Sequence, residues 1–291
     1  MRFAKYQGNG NDFVMLADPR DELTLTPELV RVLSDRRFGI GGDGVIRVAP
    51  GDDGSALFMD YVNSDGSIGE MCGNGIRCLA LFAQAEGMTG ANELKVGTRS
   101  GTKLVEVLGE DRVRVDMGAP IFLPAEVPVV GEGEHALNTR VPLPPHVGRD
   151  VVAACLSMGN PHAVLFVERV EEAPVATLGP RVETHDLFPH KTNVEFVQVD
   201  SPGHLTMKVW ERGAGQTLAC GTGACAAVVA SRLVAGTDER VVVSLPGGDL
   251  AIEWGGSFDV DASFYMTGPA VGVFDGEVDL DRALQRGVAP A

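Results

Sequence analysis

Two segments of this chain repeat one another: Glu70-Met71-Cys72-Gly73-Asn74-Gly75-Ile76-Arg77-Cys78 and Leu218-Ala219-Cys220-Gly221-Thr222-Gly223-Ala224-Cys225. In each, a cysteine precedes Gly-x-Gly and then an apolar run, Leu79 to Ala85 or Ala226 to Val234, the pattern of a turn feeding a buried helix. The surroundings repeat as well. Gly8-Asn9 leads into an apolar stretch, Phe13 to Ala17, and Ser157-Met158-Gly159-Asn160 leads into Ala163 to Val167, 151 positions on; Cys72 and Cys220 lie 148 apart, and Pro120 and Pro269 lie 149 apart. Three offsets near half of 291 residues describe a duplicated domain. An operator relating two copies is expected to bring equivalent helix N-termini to opposite sides of a cleft, where ligand sites form.

Both cysteines are thereby expected at helix N-termini. Unpaired backbone N–H groups and the positive end of the helix dipole favour a thiolate there, and glycines let an anionic ligand approach the main chain. The other three cysteines, Cys78, Cys155 and Cys225, read as small core hydrophobes. With five cysteines, an odd number, reduced thiols are expected rather than a disulfide framework. The pairs Cys72/Cys78 and Cys220/Cys225 lack the C-x2-C spacing of structural zinc, so no metal is expected.

Composition narrows the partners. A net charge of −16 disfavours phosphate backbones and anionic membranes, and no basic patch intervenes, so neither nucleic acid nor membrane is expected as a partner. No apolar run reaches the ~18 residues of a membrane span, and Met1-Arg2-Phe3-Ala4-Lys5 lacks a signal-peptide core; the expected location is the cytoplasm. With 44% hydrophobic residues the chain can bury one large core or two ordinary ones.

Along the chain, Phe3 to Gln7 and Phe13 to Ala17 read as strands around a polar loop, and Pro27 to Arg36 as a short amphipathic helix. Gly39-Ile40-Gly41-Gly42-Asp43-Gly44 is a glycine loop without the Gly-Lys-Ser/Thr ending of a phosphate loop. Strands are expected at Leu57 to Val62, Leu94 to Thr98, Leu104 to Val107 and Val113 to Asp116. In the second half they are expected at Leu205 to Trp210, Val241 to Leu245, Leu250 to Trp254 and Phe258 to Tyr265. The Pro-rich Val141-Pro142-Leu143-Pro144-Pro145 is expected to be a turn.

Two thiols facing each other across one pocket suit one kind of chemistry above others. One takes a proton from a carbon while the other delivers a proton to the opposite face, inverting the centre without a cofactor. A substrate carboxylate held on the N–H groups near Gly73, Asn74, Gly221 and Thr222 would be stabilised as charge develops toward an enediolate. A nucleophilic cysteine with His162 as its base is a rival reading, but it leaves the second cysteine without a role.

The motifs Cys72–Cys78, Met158-Gly159-Asn160-Pro161-His162, Thr192-Asn193-Val194-Glu195-Phe196, Glu211-Arg212-Gly213-Ala214-Gly215 and Ala219–Gly223, with the opening Lys5–Phe13, closely resemble the diaminopimelate epimerase family over nearly the whole chain. The resemblance implies an isomerase that needs no cofactor and converts LL- to meso-diaminopimelate in lysine and peptidoglycan biosynthesis. It implies an α/β (α+β) fold of two pseudo-symmetric domains, each a curved, mostly antiparallel sheet around a central helix. Residues 1–117 with 263–291 would form one domain and 118–262 the other, usually in a homodimer. Carried over by position, Cys72 and Cys220 correspond to the acid/base thiols, tuned or oriented by His162 and Glu211. Asn11, Asn63, Asn160, Asn193, Glu211 and Arg212 correspond to the substrate-binding set, with Gly73, Asn74, Gly221 and Thr222 holding the carboxylate through main chain. Gly44 stands where many members carry a substrate-contacting glutamine, so that contact is expected to be lost or replaced by water. Proline racemase-like and phenazine-pathway isomerases of the same fold group, and an amino-acid binding protein without catalysis, are the alternatives.

Overall fold

The computed structural model describes all residues except 53, 132, 145–148, 259, 281–283 and 285–291. The chain divides into two units, Met1–Val115 with the stretch from Thr267 onward, and Asp116–Met266.

In the first unit, β1 (Arg2–Gly8) and β2 (Asn11–Ala17) form a hairpin, α1 (Pro27–Ser34) follows, then β3 (Gly44–Pro50), β4 (Leu57–Asn63), α2 (Gly73–Ala85), β5 (Glu93–Gly97), β6 (Lys103–Val107) and β7 (Arg112–Gly118). The second unit contributes β8 (Ala136–Val141), β9 (Val151–Ser157), β10 (Pro161–Phe166), α3 (Val175–Glu183), β11 (Asn193–Ser201), β12 (His204–Glu211), β13 (Gly215–Thr217), α4 (Gly221–Ala235), β14 (Arg240–Leu245) and β15 (Gly248–Glu253). Strand β16 (Phe264–Pro269) leads out of it, and β17 (Val271–Glu277) belongs to the first unit. No helix among the described residues is long and apolar enough to cross a membrane.

Strand pairing repeats between the units. In the first, β17 pairs with β1 and β1 with β2, both antiparallel; β2 runs parallel to β3, β3 antiparallel to β4, and β4 parallel to β5. The antiparallel pairs β5–β6 and β6–β7 finish the sheet. In the second unit β8, β9 and β10 pair antiparallel, β10 runs parallel to β11, β11 antiparallel to β12, β12 parallel to β14, and β14 antiparallel to β15. Phe13 registers with Gly44 and His162 with Asn193, so Asn11 is the counterpart of Asn160. The offset of 151 read from Gly8-Asn9 is thus corrected to 149, because strand register rather than loop composition fixes equivalence.

The helices α2 and α4 are enclosed because their sequences are apolar on nearly every face. Helix α2 lies against β1, β2, β3, β6 and β17, and α4 against β9, β10, β11, β12, β14 and β15. Residues Ala224 to Ala230 of α4 are fully buried, and Gly236 ends the helix in the left-handed conformation, φ 70°, which glycine adopts without steric cost. Helix α1 is two-sided: Thr26 caps it by accepting from Leu29 N, and Val30 and Leu33 join Val14, Leu16, Val45 and Val62 in a core of their own. A matching core in the second unit gathers Val175, Val182, Val194 and Phe196.

Several elements differ from the sequence reading. The strand expected over Phe258 to Tyr265 starts only at Phe264, after irregular chain in which Trp254 Nε1 donates to Ala262 O. Strand β3 begins at Gly44, inside what reads as a loop, and α3 contains Pro180, which disguises it. The turn expected at Val141–Pro145 includes Pro145, which lies outside the described residues.

Candidate active site

Each repeated cysteine is an N-cap. Cys72 (φ −139°, ψ 117°) precedes α2 and its Sγ accepts from Gly75 N at 3.4 Å; Cys220 (φ −122°, ψ 112°) precedes α4 and its Sγ accepts from Gly223 N at 3.3 Å. A sulfur at a helix N-terminus meets the positive end of the dipole and an otherwise unpaired N–H. Cys72 is half-buried and Cys220 buried. Cys78, Cys155 and Cys225 are inaccessible, and burial pushes the thiols of Cys78 and Cys155 up to about 12, far from use at neutral pH.

Around Cys72 the first unit assembles Asn11, Asn74 and, through Asn11, a charged cluster. Asn11 Oδ1 accepts from Cys72 Sγ at 3.6 Å and from Asn74 Nδ2 at 3.2 Å, while Asn11 Nδ2 donates to Asp43 Oδ2 at 2.6 Å. Arg36 Nη2 spans Asp43 Oδ1 (2.7 Å) and Asp12 Oδ1 (2.6 Å), and Lys5 Nζ lies 2.7 Å from Asp12. Burial opposes ionisation of Asp12, yet the hydrogen bonds from Arg36 and Lys5 outweigh it and draw the carboxyl down to about 2. Arg77, fully buried, donates to Asn9 Oδ1 (2.6 Å), Asn74 Oδ1 (3.0 Å) and Gly73 O (3.1 Å), which fixes the amide of Asn74. Asn63 Oδ1 accepts from Tyr61 Oη at 2.6 Å and its Nδ2 donates to Ser67 Oγ at 3.0 Å. A Cβ on Gly44 would lie 2.6 Å from Val62 O and 2.7 Å from the Tyr61 ring, so the ring of Tyr61 fills the space beside this glycine.

The second unit builds a different environment on the same frame. His162 Nδ1 is 2.7 Å from Glu195 Oε1, and its Nε2 is 2.9 Å from Asn160 Oδ1. Asn160 Nδ2 donates to Thr222 Oγ1 at 3.3 Å, and Thr222 Oγ1 stands 3.5 Å from Cys220 Sγ. Glu211 accepts from Thr217 Oγ1. Burial pushes the Glu211 carboxyl up, and it pushes the Cys220 thiol well up, with the carboxylates of Glu211 and Glu195 adding to the effect on the thiol. Gly221, whose neighbours Thr222 and Gly223 complete the first turn of α4, is buried. Asn193 is buried and ties two backbones together, its Oδ1 accepting from Arg212 N (2.9 Å) and its Nδ2 donating to Pro161 O (2.8 Å). The guanidinium of Arg212 is exposed and donates to His190 O at 3.4 Å. Glu183 holds the same loop, accepting from Trp210 Nε1 (2.7 Å) and Gly213 N (3.0 Å).

The structure therefore gathers Cys72, Asn11 and Asn74 in one unit, with Gly73 at the helix start and Asn63 bonded to Tyr61 and Ser67. It gathers Cys220, Thr222, Asn160 and His162 in the other, with Asn193 bracing Arg212. Residues that the sequence reading did not single out are Asp43, Arg36, Arg77, Tyr61, Glu183 and Glu195. The signal for Glu195 is a lone carboxylate within the apolar Val194–Val197; for Arg77 it is the one charged residue of helix α2.

Two helix-capping thiols in duplicated sheet-and-helix units define a class. The fold is that of a solved probable proline racemase from Agrobacterium radiobacter K84, with a TM-score of 0.71 at 15% identity, covering 96% of this chain and 93% of that one. The diaminopimelate epimerase family model matches residues 3–123 and 154–273. A diaminopimelate epimerase of Desulfitobacterium hafniense is 50% identical over 95% of this chain and 97% of its own length, and one of Moorella thermoacetica is 47% identical over 97% and 100%. The chain belongs to the diaminopimelate epimerase family.

Proposed function

We propose that this isomerase epimerises LL-2,6-diaminopimelate to the meso form, a step of lysine biosynthesis, with Cys72 and Cys220 as its two proton-transfer groups. The carrying observation is that both thiols cap equivalent helices and each accepts an N–H from its own first turn. One sulfur, as thiolate, takes the α-proton; the C–H electron pair delocalises into the carboxylate as an enediolate; the other thiol returns a proton to the opposite face. The enzyme is left with its two protonation states exchanged. Backbone N–H groups at Gly73, Asn74, Gly221 and Thr222 suit a carboxylate whose charge grows in this step.

The remaining residues take supporting roles. Diaminopimelate carries an ammonium and a carboxylate at each end, and the exposed fork of Arg212 matches the distal carboxylate, braced at its backbone by Asn193. Asn11, Asn63 and Asn160 offer amides that meet either charge without adding one. Beyond burial, Glu211 raises the Cys220 thiol, and His162 faces Glu211 and orients Asn160 beside Thr222. A homodimer is part of this reading and rests on family resemblance.

Incubation with LL-diaminopimelate in deuterated water tests it: meso product carrying one solvent deuterium at the inverted carbon is expected. Exchange on proline in place of diaminopimelate would move the chain to the racemase alternative, and tight binding without exchange would make it a binding protein.

A further inference from the structure

Resting on that assignment of Cys220, the geometry points to Glu195 as a positioning residue that acts on the Cys220 thiol through His162, by setting the direction of a hydrogen-bond chain that ends at the sulfur. The links are continuous: Glu195 Oε1 to His162 Nδ1 at 2.7 Å, His162 Nε2 to Asn160 Oδ1 at 2.9 Å, Asn160 Nδ2 to Thr222 Oγ1 at 3.3 Å, and Thr222 Oγ1 to Cys220 Sγ at 3.5 Å. His162 and Glu195 are wholly buried, and Glu195 Oε2 has no hydrogen-bond partner among the described residues.

The duplication shows that the fold does not require this pair. His162 occupies the place of Phe13, each registered with the first residue of the neighbouring parallel strand, and Glu195, two residues further along that strand, occupies the place of Ile46. Phe13 and Ile46 are equally buried. The same backbone thus closes over two apolar side chains in one unit, whereas in the other an imidazole and a carboxylate are held out of water at a cost in desolvation. Both strand residues also end under the first turn of their helix. A Cβ on Gly75 would meet Ile46 Cδ1 at 2.7 Å; one on Gly223 would meet Glu195 Oε1 at 2.8 Å and Cys220 Sγ at 3.3 Å.

Such a chain has two directions. With the ring doubly protonated, Nδ1 donates to Glu195 and Nε2 to Asn160 Oδ1; Asn160 Nδ2 donates to Thr222, and the Thr222 O–H is left to donate to sulfur, which favours the thiolate. With the ring protonated on Nδ1 only, Nε2 accepts, the Asn160 amide turns over, Thr222 donates to it, and the sulfur keeps its proton as a donor to Thr222. The carboxylate of Glu195 lies 2.7 Å from Nδ1, and in this proposal that contact selects the first arrangement. The other groups facing the chain are Glu211, which lies near Cys220 and His162, and Cys155 of β9, which lies near Glu195.

Two roles for Glu195 carry opposite signs, which makes the test decisive. As a bare negative charge beside Cys220, its removal would ease thiolate formation; acting through His162, its removal hinders it. The experiment follows the rate of iodoacetamide alkylation of Cys220 by peptide mass spectrometry across about pH 6 to about pH 10, the limb below the midpoint where a shift reads as a change of rate at fixed pH, without substrate, in the full-length protein and its Glu195→Gln and Glu195→Ile variants. The expected result is a midpoint raised by about one pH unit in both variants, hence roughly tenfold slower alkylation of Cys220 near neutral pH. Alkylation of Cys72 should be unchanged. Faster alkylation of Cys220, or an unchanged rate, overturns the proposal. The glutamine variant is isosteric and its amide oxygen can still accept from His162 Nδ1, which keeps a folded protein available where the isoleucine variant leaves that nitrogen without a partner. Since the readout needs no turnover, a chain that shows the shift yet fails to epimerise diaminopimelate would refute the assigned reaction and leave Glu195 as the group that tunes this thiol.

Discussion

For single residues, chemistry here depends on two sulfurs and on what lies within a few ångströms of each. Cys72→Ser and Cys220→Ser should each lower turnover of diaminopimelate by roughly 10²-fold or more with unchanged circular dichroism, because an alcohol is a far weaker acid and base than a thiol; near-native turnover in either would end the two-base reading. Arg212 sits exposed on a braced backbone, so Arg212→Lys keeps charge and loses the planar fork. Its kcat/KM is expected to fall about tenfold and that of Arg212→Ala about a hundredfold, the span of a charge-assisted hydrogen bond; indifference in steady-state assays would remove the distal-carboxylate role. Asp12 contributes to stability rather than chemistry. Its carboxyl, drawn from 3.8 to about 2, binds its proton more weakly when folded, so the stabilisation is present above the unfolded value and fades as pH falls toward 2. Asp12→Asn should therefore cost about 2 kcal/mol in urea unfolding at pH 7 and much less near pH 2.5. An equal cost at both pH values would place the effect outside ionisation.

Among the elements, the two helix starts share a backbone design and differ in what they press against. A Cβ added at Gly75 would lie 2.7 and 2.9 Å from Ile46 Cδ1 and Met59 Cε, the far ends of flexible side chains, whereas one at Gly223 would meet the Glu195 carboxylate, which His162 holds in place. Gly75→Ala is expected to cost about 1 kcal/mol or less, since helix propensity gained offsets small shifts in packing. Gly223→Ala has to displace Glu195 or the Cys220 sulfur and should reduce turnover at least about tenfold with little loss of secondary structure. Comparable activity in the two variants would mean that the carboxylate is not fixed there. Elements hidden from sequence reading have local signals that mislead: β3 starts at a glycine, α3 carries an internal proline, and β16 starts only at Phe264. Local propensity pointed one way and tertiary pairing the other.

Across the full chain, the units are unequal in connectivity: the second is one continuous stretch, Asp116–Met266, and the first needs β17 from the far end of the chain to pair with β1. A fragment spanning 116–266 is expected to melt cooperatively with Cys225 protected from alkylation, whereas 1–115 alone, lacking β17, should not; a non-cooperative 116–266 would show that its core is incomplete. The duplication, the helix-capping thiols and the apolar helices were legible in the sequence because they are local: a cap, a glycine turn and an apolar run each reveal themselves within a dozen residues. What decides how each thiol behaves is not local. The pairing of His162 with Glu195, the grip of Asp43 on Asn11 and the burial of Arg77 against Asn9 join residues 33, 32 and 68 positions apart, brought together by strand pairing and helix burial. No periodicity encodes such contacts, since buried polar groups are satisfied by whichever partners the folded chain supplies. That there are two equivalent thiols is written in a pair of short motifs; that one meets Asn11 and the other a buried histidine–carboxylate pair follows only from how distant strands pack beneath each helix start.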